Sequence, residues 1–190
     1  MKQLDGTGMK RLHREWRRRT EGRLALVLED VEGPFNVGAI IRTAAALRAE
    51  DVWLAGRTPD PRETKVQKTA LGTDRYLQRH RAVDGRAAVS GAREAGYEVL
   101  ALELADDATP LHERALTAAT ALVVGHEERG VSAPTLAACD AVVFLPLLGK
   151  VGSLNAATAA SIACYEVRRQ AWGAAAPGRG THDNRDAAAP

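Results

Sequence analysis

The stretch from Val142 to Arg169, V-V-F-L-P-L-L-G-K-V-G-S-L-N-A-A-T-A-A-S-I-A-C-Y-E-V-R-R, limits what this chain can fold into more than any other. It opens as an apolar, β-branched run (Val142, Val143, Phe144, Leu145) and is stopped by Pro146. It then crosses a loop containing Gly149 and Gly152 and continues as an alanine-rich helix. A buried strand therefore feeds a helix through a tight turn. Ser153 and Asn155 both suit a helix N-cap, yet only one of them can cap the backbone. The other is free for a different partner, so this loop reads either as a plain capped turn or as a ligand site.

The rest of the chain repeats the strand-then-helix pattern. Leu24 to Leu28 reads as a buried strand, and the loop after it ends at Asn36, a candidate N-cap. Val37, Ile40, Ile41, Ala44 and Leu47 then follow helical spacing, with Arg42 set among mostly apolar neighbours. An arginine there either snorkels from the helix rim or reaches towards an anion. Further strands are expected over Asp51–Leu54, Tyr76–Val83, Glu98–Leu102 and Ala121–Val124. Helices are expected around Lys65, Lys68 and Leu71, over Arg86–Ala95, and from Pro134. Apolar strands alternating with crossover helices define an α/β domain around a largely parallel sheet flanked by helices.

At 190 residues the chain suits one domain, placed at 24–172, with a basic arm over 1–23. Residues 173–190 have almost no apolar content beyond alanine and are expected to be disordered. Net charge is only +2, but Lys10, Arg11, Arg14, Arg17, Arg18 and Arg19 crowd into ten residues holding a single acid, Glu15. Met9, Leu12 and Trp16 recur at helical spacing, so a short helix could dock on that side and turn its arginines outward. With so few acids to pair them, a phosphate backbone is the expected partner.

Several chemistries are disfavoured. Cys139 and Cys164 form no C-x-x-C pair, and the five histidines are scattered. His112-Glu113 and His126-Glu127 each open an H-E-x-x-H frame, but Leu116 and Gly130 fill the closing position, so no metal is expected. Gly125 to Ser132 has the outline of a phosphate-binding loop with Val131 where the lysine belongs. The turn after the first strand lacks G-x-G-x-x-G, and G-K-V-G-S-L-N lacks the G-x-S-x-G elbow of a serine hydrolase. No apolar run is long enough to span a bilayer, and the N-terminus carries cations without the apolar segment of a signal peptide, so a cytoplasmic location is expected. What remains is three loops, 33–42, 125–132 and 145–155, each at the carboxyl end of an expected strand. In a parallel sheet such loops share one rim, where ligands bind.

These loops carry a resemblance. N-V-G-A-I-I-R-T at 36–43, G-H-E-E-R-G-V-S at 125–132 and L-P-L-L-G-K-V-G-S-L-N at 145–155 resemble the three ordered motifs of the SpoU/TrmH family of RNA ribose 2'-O-methyltransferases, within the SPOUT superfamily. The similarity runs from about Leu24 to Trp172. The basic arm and the helix ending Y-E-V-R-R-Q resemble those of members that methylate tRNA guanosine.

The resemblance implies a sheet whose C-terminal part forms a trefoil knot, a homodimer paired through that region, and S-adenosylmethionine as cofactor. The cofactor residues carried over by position are Leu102, Gly125, Leu145, Leu147 and Leu154. The polar positions are Asn36, Arg42, Glu127, Ser153 and Asn155. The family's proposed base falls on Arg42, but a guanidinium loses its proton only above about pH 12, so a wider role follows. Arg42 is expected to grip a phosphate and orient the ribose hydroxyl, with the other four holding it and the loops by hydrogen bonds. The implied substrate is tRNA, at the D-loop guanosine, with ribosomal RNA as the alternative. A reading of another class is an RNA-binding protein that does not catalyse. Phe35, before Asn36, departs from the polar residue common in relatives.

Overall fold

The computed structural model describes residues 3–174. β1 (Arg23–Glu29) is buried at six of its seven positions, as expected of a central strand covered on both faces. β2 (Asp51–Ala55) and β6 (Ala119–Val124) pair on either side of it. β3 (Gln78–Ala82) lies beyond β2. On the other flank come β4 (Glu98–Leu102), β7 (Ala141–Phe144) and the two-residue β5 (Thr109–Pro110), giving the order β3-β2-β1-β6-β4-β7-β5 with every pair parallel.

Alternation along the strands divides the core. Leu24, Leu26 and Leu28 face one layer with Ile40 and Ile41 of α2 (Pro34–Ala46), Val66 of α3 (Thr64–Ala70) and Ala160 of α6 (Ala156–Ala174). Ala25 and Val27 face the other with Trp53, Val99 and Val89 of α4 (Gly85–Glu94). α5 (Ala133–Leu136) is opened by a proline in its first turn. The two cysteines are free, and burial pushes the Cys164 thiol up to about 12.

Four expectations change. α2 starts at Pro34 with Gly33 as its N-cap, because a proline's fixed φ suits the first helical position; Asn36 is therefore the third residue of the helix, not its cap. Tyr76 belongs to a 3-10 turn, Thr73–Tyr76, that precedes β3. α1 (Gly6–Arg19) forms, with the Asp5 carboxylate accepting from the Gly8 amide at 2.7 Å, but Met9 and Leu12 stay exposed and no residue of α1 is buried. It docks only through its last turns: Trp16 meets Trp172 edge-to-face at 5.1 Å, and Trp172 Nε1 donates to Thr20 Oγ1 at 2.7 Å. Finally, α6 runs through Gly173 and Ala174, so the expected disorder does not start there; residues 175–190 of that tail lie outside the described residues.

Candidate active site

β4, β6 and β7 end side by side at Leu102, Val124 and Phe144, and the loops leaving them enclose a cleft of about 200 Å³. Leu102, Gly125, Leu145, Leu147 and Leu154, the five positions inferred for the cofactor, all line it. Ser153 lines it as well, with Glu103, Glu127 and Glu128 among its polar groups. The cleft is thus apolar on its walls and acidic at its edge.

The turn at 125–132 is tied down by carboxylates from two strands. Its own closure is a pair of backbone bonds, His126 N to Gly130 O at 3.1 Å and Gly130 N to His126 O at 2.9 Å. A Cβ on Gly125 would lie only 2.2 Å from the Gly130 carbonyl carbon, so the turn closes against bare backbone at that point. Glu103, just past β4, accepts from the amides of Val131 at 2.9 Å and Leu104 at 3.0 Å. Glu29, buried at the end of β1, accepts from the Ser132 amide at 3.0 Å, the Ser132 hydroxyl at 2.7 Å and the Thr135 hydroxyl at 2.6 Å. Neither acid was singled out from sequence. The available signal was an acid at or next to the carboxyl end of an apolar strand, where it can serve amides leaving the ladder.

Glu127 reaches the opposite way. Its carboxylate accepts from Asn36 Nδ2 at 2.9 Å and from the amides of Gly33 at 3.0 Å and Glu32 at 3.3 Å. Partial burial pushes this carboxyl up, but the bonds from Asn36 and the backbone amides outweigh it and hold it below the usual carboxylate range. Negative charge beside the first turn of α2 also complements the helix dipole. Asn36 Oδ1 in turn accepts from Asn155 Nδ2 at 3.0 Å, while Asn155 Oδ1 takes the amides of Ala157 at 3.0 Å and Thr158 at 3.2 Å. Of the two candidate caps, Asn155 therefore opens α6, and Ser153 is exposed on the cleft wall.

The structure thus brings Asn36, Glu127 and Asn155 into one network and sets Ser153 beside it. Arg42 stands apart. It is exposed on α2, does not line the cleft, and takes no hydrogen bond or ion pair among the described residues, so the network holds the loops and does not hold Arg42 as expected. It shares an outward stripe of the helix with Phe35, Ala39 and Ala46. Lys10, Arg11, Arg14, Arg17, Arg18 and Arg19 lie along exposed α1, where among the described residues only Arg19 forms an ion pair, with Glu15 at 3.8 Å.

A parallel α/β sheet with an acid-rimmed apolar cleft at the carboxyl ends of its strands defines a ligand-binding domain of the kind that takes nucleotide-like cofactors. The family is specific. The model of the SpoU rRNA Methylase family matches residues 23–165, and the chain belongs to that family. It is 34% identical over 156 residues to an uncharacterized tRNA/rRNA methyltransferase of Synechocystis, covering 82% of this chain and 57% of the relative. It is 33% identical over 149 residues to the tRNA (guanosine(18)-2'-O)-methyltransferase of Escherichia coli, covering 77% of this chain and 63% of that enzyme. The solved structure of an AdoMet-bound rRNA methyltransferase from Sinorhizobium meliloti superposes with a TM-score of 0.73 at 29% identity, over 80% of this chain and 57% of that one. The chain therefore spans about three fifths of the length of these relatives.

Proposed function

We propose that the chain is an S-adenosylmethionine-dependent RNA ribose 2'-O-methyltransferase acting on tRNA. The observation that carries the reading is the cleft: its leucine walls suit a purine, and its edge of Glu103, Glu127 and Glu128 suits a cationic ligand. S-adenosylmethionine has both, and when bound it supplies a methyl group activated on a sulfonium. Leu102, Leu145, Leu147 and Leu154 would hold it, with Gly125 leaving the backbone close.

The chain's own part is mostly positioning, since a ribose hydroxyl must be aligned and must lose its proton. The Asn36–Glu127–Asn155 network keeps the first and third loops fixed around the cleft. Ser153 offers a hydroxyl on the wall. Arg42, unpaired among the described residues, presents its planar fork to a phosphate of RNA lying along α2 and orients the hydroxyl next to it.

tRNA at the D-loop guanosine is preferred on the Escherichia coli relative's name and the cationic α1, and ribosomal RNA is the second reading, on the family's name. The same proposal includes a trefoil knot. The chain runs from β4 through β5, on the far side of β7, to β6 before it makes β7 itself, a strand order that supports this reading. It includes a homodimer as well, for which exposed Leu148, Val151 and Ile162 on the last loop and helix offer apolar surface, and a cytoplasmic location with its RNA.

The test is transfer of a labelled methyl group from S-adenosylmethionine to unmodified tRNA and, in parallel, to ribosomal RNA fragments. The product should resist alkaline cleavage at one nucleotide, because that cleavage needs a free 2'-hydroxyl. Label on a base would overturn the mechanism; label only in ribosomal RNA would change the substrate; no label with RNA bound would leave a non-catalytic binding protein.

A further inference from the structure

Below the cleft, at the C-terminal end of α2, a groove opens between α1, α2 and α6. His13, Arg17, Arg48, Tyr76, Trp16 and Trp172 line it, and no carboxylate does among the described residues. Arg17 and Arg48 enter no ion pair among the described residues. Arg168 also reaches it but is committed: buried, it donates to the carbonyls of Leu47 at 2.8 Å, Gly22 at 2.9 Å and Arg48 at 2.7 Å. Tyr76 carries the Arg75 guanidinium 4.8 Å from its ring centroid yet remains 62% exposed. Free cations interleaved with aromatic rings, and no acids, suit an unpaired nucleic-acid strand better than a protein helix.

The groove also lies on a track. The outward stripe of α2 runs from Phe35 through Arg42 to Ala46, and Ala46 is part of the groove. Arg42 to Ala46 is a rise of about 6 Å. α1 turns His13, Trp16, Arg17 and Thr20 to the groove, whereas Arg11, Arg14 and Arg18 line a separate surface with Glu15. The densest cationic cluster in the sequence therefore faces away from this track, and Arg17 faces onto it.

We propose that this groove is a second RNA contact, in which an unpaired stretch of the RNA held at Arg42 lays its phosphates on Arg17 and Arg48 and a base on Tyr76. The proposal rests on the RNA-methyltransferase reading for the choice of RNA, and it assigns binding to residues the motifs do not include.

The experiment uses the full chain and a fluorescein-labelled, short single-stranded RNA of mixed sequence, followed by anisotropy over a range of salt. Arg17→Ala with Arg48→Ala should lower the slope of log K against log salt by about 1.4, two phosphate contacts at about 0.7 each, whether or not Arg11 and Arg14 are also replaced by alanine, while Arg86→Ala, exposed on α4 across the sheet, leaves it unchanged. Tyr76→Ala should weaken binding by about 5- to 150-fold, and Tyr76→Trp should restore it, since any aromatic face can stack a base. A loss confined to the Arg11 and Arg14 pair, Tyr76→Ala binding as wild type, or equal competition by polyglutamate would each overturn the groove as an RNA site. Methyl transfer by wild type separates the two readings. Transfer with unchanged RNA KM in the groove variants sinks the groove alone, and groove-dependent binding without transfer sinks the methyltransferase reading alone.

Discussion

Asn155 and Asn36, 119 positions apart, are joined by one hydrogen bond of 3.0 Å in which Asn155 Nδ2 donates to Asn36 Oδ1. Because Asn155 Oδ1 also caps α6, a single side chain starts that helix and ties its loop to α2. Asn155→Ser keeps a cap and is too short for Asn36, whereas Asn155→Ala removes both functions. The alanine variant should be about 1 kcal/mol less stable than the serine variant in urea unfolding. Both should bind S-adenosylhomocysteine more weakly than wild type by calorimetry. Equal stability of the two would show that the cap contributes nothing.

Glu127 sets a pH dependence. Its folded carboxyl lies below the usual range, after burial is outweighed by bonds from Asn36 and the amides of Gly33 and Glu32. A depressed carboxylate contributes stability that is present above its unfolded pKa and is lost as pH falls through the folded one. Glu127→Gln should therefore be less stable than wild type near neutral pH, and the two melting curves should converge in acid below the ordinary carboxylate range. A gap that widens on acidification would contradict the assignment.

Arg42 lies outside the cleft and outside the network that fixes it. Arg42→Ala should abolish methyl transfer while S-adenosylhomocysteine affinity stays near wild type. Arg42→Lys keeps the charge without the planar fork and should recover only part of the rate. Wild-type turnover in the alanine variant would remove this residue from the reaction.

Arg168 satisfies three carbonyls at the junction of α2, α6 and the segment before β1. Burial lowers its pKa, with the Arg48 charge adding to the effect, and these bonds help compensate the buried charge. Arg168→Leu should cost about 3 kcal/mol in unfolding free energy, since three part-buried carbonyls lose their donor at once. Arg168→Lys, with a single point of donation, should fall between. A neutral leucine variant would mean that water replaces the guanidinium.

The strands were legible because apolar runs such as Leu24–Leu28 and Val142–Leu145 leave few alternatives, and the cleft-lining Leu145, Leu147 and Leu154 because they fall within a family motif. The roles of Glu29 and Glu103 were not. Each depends on an amide that folding brings near, 103 residues away for Glu29 and Ser132, and no local pattern encodes that distance. The start of α2 was readable from Gly33-Pro34 but was displaced by Asn36, whose side chain suits a cap equally well. Arg168 carries no local signal of its role, because the carbonyls it serves meet it only when the end of α2 lies against α6.

The anchoring of the 125–132 turn by Glu29 and Glu103 bears on how a ligand is received. Val131 and Ser132 have their amide protons engaged by carboxylates before anything enters the cleft. Those protons should exchange slowly with solvent deuterium in the empty protein, and ligand should slow them little further. Association then needs no folding of this wall, so its rate should be set by encounter and by desolvation of the leucines rather than by a conformational step.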